Sequence, residues 1–149
     1  MEKILLLTHG GWGASLKKSI EMIIGPVDFV EEIALYPKDL FSGKDLLNEF
    51  QERIQSFITQ QHRAAQLREE PLHLLIMTDL FGGTPTNAAA VIANTSTENI
   101  HVVTGLNSAL LLEACTQILN QGTVDIAVLI ENSQNSIFNV MEKIYRKGD

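Results

Sequence analysis

The feature that most constrains this chain is the apolar run Ile4 to Leu7 and what stops it: Thr8, His9, then Gly10, Gly11 and Gly13. Four consecutive apolar residues leave no polar face. A strand built from them must be covered on both sides, as in a parallel sheet flanked by helices. The glycines then end any regular element. In open parallel sheets the working residues lie where the carboxyl ends of strands give way to loops, and His9 falls there. Ile76 to Asn87 (IMTDLFGGTPTN) repeats the form, with an apolar run, Thr78 and Asp79, and then Gly82 and Gly83. Two strand ends thus offer an imidazole and a carboxylate.

The remaining pattern alternates. Ala14 to Ile24 carries Leu16, Ile20, Ile23 and Ile24 at helical spacing, and Gly25-Pro26 ends it. Phe29 to Tyr36 reads as a second strand closed by Pro37. Ser42 with Asp45 is a capping-box signature ahead of a stripe formed by Leu46, Leu47, Phe50, Ile54, Phe57 and Ile58. The polar stretch Gln60 to Pro71 reads as the tail of that helix and a connection. Leu72 to Met77 is the third strand, Thr84-Pro85 an N-cap and N1 pair, Ile100 to Thr104 the fourth strand, and Ala109 to Leu119 a helix. Val124 to Ile130 reads as a strand by its β-branched content, yet Ile126, Leu129 and Ile130 also fit a helical stripe, and Gln134 to Tyr145 fits a closing helix. Alternating strands and helices argue for an α/β fold with a mostly parallel sheet.

Composition narrows the functions. A net charge of −7 with no Lys/Arg cluster argues against nucleic-acid binding. The single cysteine, Cys115, excludes an intrachain disulfide and any zinc spacing. No apolar run approaches the ~20 residues of a membrane span, and Met1-Glu2-Lys3 runs almost at once into a strand. A cytoplasmic chain with one domain over residues 1–149 is expected. Gly11-Trp12-Gly13 begins like a dinucleotide fingerprint, but Leu16 stands where the third glycine should be. With no P-loop, no HExxH and no carboxylate cluster, no cofactor or metal is expected.

His9 is the candidate nucleophile. Glycines beside it leave the approach open, and an imidazole of ordinary pKa near 6.5 is largely unprotonated at neutral pH. One ring nitrogen can attack if an acceptor holds the other as N–H. Asp79 is that acceptor if the first and third strands are neighbours, as they are in a sheet of order 2-1-3-4. Such a carboxylate also stabilises the positive charge that develops on the ring. Gly82-Gly83-Thr84-Pro85 leads into a helix whose unpaired N–H groups suit a phosphoryl group, with Gly10-Gly11 facing it. Alone, Asp79 would serve equally as a turn residue and the glycine pair as a tight connection. Together with His9 they point to phosphoryl transfer through a phosphohistidine. His62, His73 and His101 read as structural or solvated, Cys115 as core, and Trp12 as either packed on the first helix or partly exposed beside His9.

Thr8-His9-Gly10, Trp12, and Ser19 to Gly25 (SIEMIIG), followed by Thr78 to Asn87 (TDLFGGTPTN), resemble the two signatures of the mannose-type (mannose/fructose/sorbose) IIA proteins of the bacterial phosphoenolpyruvate-dependent sugar phosphotransferase system. The likeness spans about Met1 to Glu113. It implies a phosphotransferase component that takes a phosphoryl group from the phosphocarrier HPr onto His9 and passes it to a IIB protein, with Asp79 hydrogen-bonding the imidazole. It also implies a parallel sheet of order 2-1-3-4 with helices on both faces and an antiparallel edge strand. Members form homodimers, in characterised cases by exchanging that strand, and meet the membrane only through IIC and IID components. The phosphoryl group would be held by Gly10, Gly82, Gly83 and Thr84. Alignment with the family makes Asp125 to Asn132 helical and puts the edge strand near Ile137 to Val140. The chain departs from the family at Thr86, where an aromatic is usual, at Asn107-Ser108-Ala109, and at Asn132-Ser133 and Asn135-Ser136. Two other functions fit the fold: a phosphoryl-donor subunit of a dihydroxyacetone kinase system, whose domains lack so full a GGTPxN signature, and a regulatory phosphorylation module.

Overall fold

The structure is a computed structural model that describes residues 1–41, 43 and 45–145. Its elements are β1 (Glu2–His9), α1 (Trp12–Ile24), β2 (Val30–Leu35), α2 (Pro37–Leu40), α3 (Leu46–Leu67), β3 (His73–Thr78), α4 (Thr84–Thr95), β4 (Asn99–Thr104), α5 (Ser108–Gln121), α6 (Ile126–Gln134) and α7 (Val140–Tyr145). One compact unit comprises Met1–Ser108, and a second begins at Ala109.

In the first unit four strands pair in the order β2-β1-β3-β4, and every pairing is parallel. The two central strands are the two with apolar runs: Ile4 to Leu7 and Leu74 to Met77 are all buried. Alternation divides β1 between two faces. Leu5 and Leu7 join Leu74 and Ile76 beneath Phe50, Ile54, Phe57 and Ile58 of α3 and Ala88, Ala89 and Ile92 of α4. The small alanines let α4 lie close to the sheet, while the large α3 residues fill the space beside it. On the opposite face Thr8 lies against the first turn of α1 at Gly13. Burying each of these large apolar side chains contributes about 1.5–3 kcal/mol, which is why the central strands, covered on both faces, need no polar alternation.

Helix boundaries follow their caps. Asp45 itself caps α3, its carboxylate accepting from the Asn48 N–H at 3.2 Å. Its expected box partner, Ser42, lies outside the described residues. The polar stretch after Gln60 stays helical to Leu67 because Gln61 and Ala65 continue the buried stripe. In α4 the N-cap is Gly83, so Thr84 and Pro85 both sit inside the first turn, one position later than their sequence suggests.

The second unit decides the C-terminal reading in favour of helix, as alignment with the family had it over Asp125 to Asn132. Val124 to Ile130 is not a strand. The Asp125 carboxylate accepts from the Val128 N–H at 3.0 Å and starts α6, which buries Leu129 and Ser133 four residues apart. Gln117 accepts from the Asp125 N–H at 2.8 Å and Glu113 from the Asn132 side chain at 2.9 Å, tying α6 to α5. The antiparallel edge strand is also absent among the described residues. Residues 135–139 form a turn and irregular backbone, and the Asn139 side chain accepts from the Met141 N–H at 3.0 Å, turning the chain into α7 instead. No described helix is long and apolar enough to cross a membrane.

Candidate functional site

The site follows from one register. Leu7 of β1 lies opposite Thr78 of β3, and the ladder continues one step beyond: the Asp79 N–H donates to the Leu7 carbonyl at 3.2 Å. The His9 N–H then meets the Asp79 carboxylate instead of a carbonyl, donating to Oδ2 at 2.8 Å. The same carboxylate lies 3.0 and 3.2 Å from His9 Nδ1. An ionised carboxylate only accepts, so Nδ1 carries the proton and Nε2 keeps its lone pair. The imidazole side chain is 42% exposed and the carboxylate 7%, so the reactive edge is open while its holder is fixed. Burial pushes the Asp79 carboxyl up. Hydrogen bonds from the His9 N–H and ring, the His9 charge and the Leu80 N–H outweigh it, and its pKa lies below the ordinary value.

Gly10 and Gly11 both take φ of 77°, a left-handed turn that swings the chain from the strand end into α1. The Gly10 N–H donates to the Leu35 carbonyl at 2.7 Å, so what Gly10 contributes is the turn. Gly83 approaches from the other side. A Cβ there would stand 3.2 Å from His9 Cε1 and 3.7 Å from Nε2. The ring edge bearing Nε2 therefore lies beside the amino end of a twelve-residue helix. The N–H groups of Thr84 and Thr86 are among the first-turn donors that an α-helix leaves without intrahelical partners; Pro85 has none. Histidine, oriented carboxylate and helix terminus together can attack, hold and stabilise a phosphoryl group.

A family model described as "PTS system fructose IIA component" (EIIA-man) matches residues 3–131. The chain belongs to this family. It is 32% identical over 113 residues to the "PTS system fructose-specific EIIA component" of Bacillus subtilis (strain 168), covering 76% of this chain and 68% of that protein. The crystal structure of the phosphotransferase system component EIIA from Streptococcus agalactiae superposes with a TM-score of 0.73 at 27% identity, over 93% of this chain and 97% of that one. The mannose/sorbose-specific IIA subunit from Enterococcus faecalis does so with a TM-score of 0.73 at 25% identity, over 93% and 94%.

Within this IIA fold the residues singled out from sequence gather unevenly. His9, Asp79 and Gly83 converge, Thr84 opens α4, and Gly82 occupies the loop between them at a φ of 82°. Trp12 opens α1 and is exposed, as are Leu80 and Phe81, giving the site an apolar rim. The other histidines lie elsewhere: His62 Nδ1 pairs with Glu98 at 2.5 Å, His73 Nδ1 with Glu2 at 2.8 Å, and His101 is exposed on β4. Cys115 is buried. No group of three or more His, Cys, Asp or Glu suited to a metal occurs among the described residues. Sequence reasoning missed Glu32, which accepts from the buried Thr8 hydroxyl at 2.6 Å, and the hydroxyls of Thr78, Thr86 and Thr104, which meet beneath the site. Thr78 and Thr86 stood out only as a strand-end residue and a departure from the family; the contacts themselves depend on which elements the fold brings together.

Proposed function

We propose that this IIA component is a phosphohistidine relay: His9 accepts a phosphoryl group from HPr and passes it to a IIB protein. The observation that carries this reading is the pairing of His9 Nδ1 with Asp79 at 3.0 Å, which leaves Nε2 to face Gly83 at the start of α4. In the forward step the Nε2 lone pair attacks phosphorus, a new N–P bond forms, and the N–P bond to the donor imidazole breaks. The donor imidazole leaves with that electron pair. The Nδ1 proton stays in its hydrogen bond, so the positive charge gained by the His9 ring faces the Asp79 carboxylate. Phosphoryl oxygens are received at the helix terminus by Thr84 and the Gly82-Gly83 loop. The second step reverses the first towards a histidine of the IIB protein.

The whole chain, residues 1–149, acts as one phosphotransfer domain in the cytoplasm and needs no cofactor. It meets the membrane only through IIC and IID partners. A homodimer is supported by the exposed apolar residues Ile137, Met141, Ile144 and Tyr145. The sugar is chosen by those membrane partners. The test is intact mass after incubation with phosphoenolpyruvate, enzyme I and HPr. One acid-labile phosphoryl group on the wild type and none on His9→Ala is expected; equal labelling of both would overturn the assignment.

A further inference from the structure

We infer that Thr86 is a positioning residue for the phosphoryl transfer proposed above, acting on His9 through Leu80 and Asp79. Thr86 stands in the first turn of α4 and is buried. Its hydroxyl makes two contacts: one to the Leu80 carbonyl, the other to the Thr78 hydroxyl at 2.7 Å. Thr78 in turn lies 2.9 Å from the Thr104 hydroxyl, its partner in the β3–β4 register. A hydroxyl has one proton and a carbonyl can only accept. The Thr86 proton is therefore held on Leu80, and the other two contacts are served by the protons of Thr78 and Thr104. Hydroxyl chains of this kind strengthen one another when fully satisfied.

What they secure is the chain on either side of Asp79. Thr78 precedes Asp79 and Leu80 follows it, and the Thr86 hydroxyl contacts both, at the Thr78 hydroxyl and the Leu80 carbonyl. The loop's own side chains point little of their surface into the protein: Leu80 is 61% exposed, Phe81 is 87% exposed, and Gly82 has no side chain. A loop with two outward apolar residues and a glycine would wander unless a polar contact fixed it. Thr86 supplies that contact from the rigid end of α4. The Asp79 carboxylate, and through it the tautomer and tilt of the His9 ring, then inherit a fixed geometry.

The experiment compares Thr86→Val, which keeps the shape and removes the hydroxyl, with Thr86→Ser, which keeps the hydroxyl. The first readout is nitrogen NMR of the His9 ring in the unphosphorylated protein. It needs no partner protein and so stands whether or not the relay reading does. Valine is expected to weaken the Nδ1–H pattern, and serine to restore it. The second readout is phosphoryl transfer from phosphorylated HPr: the rate falls up to about tenfold with valine at unchanged KM for HPr, the worth of one ordinary hydrogen bond, and recovers with serine. The third is a cycle with Asp79→Asn, in whose background Thr86→Val has little further effect. Thr86→Ala, which admits water to the Leu80 carbonyl, replaces valine if that variant does not fold. A wild-type ring spectrum and rate in the hydroxyl-free variant, a change in KM alone, or an equal loss with and without Asp79 would each overturn the assignment. If no variant or wild type is phosphorylated while the ring spectrum still responds to Thr86, the relay reading fails and the positioning role stands.

Discussion

The same two strands carry a histidine–carboxylate pair at each end, and only one end looks able to react. At the amino end of β1 and β3, Glu2 lies opposite His73 in the register and holds its Nδ1 at 2.8 Å. At the carboxyl end Asp79 holds His9 Nδ1 at 3.0 Å. The imidazole exposures are nearly equal, 39% and 42%. The pair itself is therefore not the signature of a site. The carboxyl end differs in what surrounds it. Asp79 also accepts the His9 backbone N–H, so ring and backbone are fixed by one group. The free ring edge faces a glycine and the start of α4. Parallel sheets create this asymmetry, because every helix that follows a strand begins at the carboxyl end and brings its unpaired N–H groups there.

The largest expected effect separates the two histidines. His9→Ala abolishes labelling from phosphoenolpyruvate, whereas His73→Ala leaves the labelling rate within about twofold, as expected of an exposed side-chain pair remote from the chemistry. Next comes the carboxylate. Asp79→Asn keeps the shape but offers an amide where the ring needs an acceptor, favouring the wrong tautomer, and phosphoryl transfer slows by roughly 10²–10⁴-fold. Glu2→Gln at the other end, measured by the same rapid-quench assay, serves as the control with no such loss. If both substitutions slow transfer alike, the two ends are equivalent and the comparison fails.

Gly83→Ala probes the surroundings rather than the pair. The backbone at Gly83 has a φ of −81°, which any residue adopts, so the cost falls on the ring. The added Cβ at 3.2 Å from His9 Cε1 forces the imidazole to tilt by a few tenths of an ångström. Transfer is expected to fall about tenfold, since small misplacements of reacting atoms are costly. Stability is expected to drop by only about 0.5–1 kcal/mol, the difference between glycine and alanine at an N-cap. A thermal melt beside the transfer assay checks both. An unaffected rate would mean the ring does not work against this wall.

How much of this was legible in the chain varies with range. Both central strands were readable because burial on two faces leaves an apolar run with no alternation. His9 and Asp79 were readable as strand-end residues for the same reason. The pairing between them waited on the order of strands, which no local pattern states. Other readings stayed open for local reasons. The β-branched content of Val124 to Ile130 suits a strand and Ile126, Leu129 and Ile130 suit a helical stripe; one cap, Asp125, with Leu129 and Ser133 four apart, selects helix. Gly10 looked like an N–H donor to the phosphoryl group because its neighbour in β2, which occupies that N–H, lies 25 residues away in sequence. Thr86 is the extreme case. Its importance rests on Thr78, Thr104 and Leu80 being brought together by the fold, and each is ordinary alone.

The smallest expected effect is on stability and concerns the Asp79 carboxylate alone. Its pKa is lower in the folded protein than the ordinary value of about 3.9 it takes when unfolded. A group of this kind binds fewer protons folded than unfolded, so it adds stability wherever both forms are ionised. That contribution is fully present above about pH 4 and is lost as the pH falls through the lowered folded value. Asp79→Asn cannot titrate. The stability difference between wild type and this variant, from urea melts, is therefore expected to stay level from neutral pH down to about 4 and to shrink below it. A difference that stays level below about pH 4 instead would mean that the carboxylate gains nothing on folding, and it would then be a passive neighbour of His9 rather than the group that holds it.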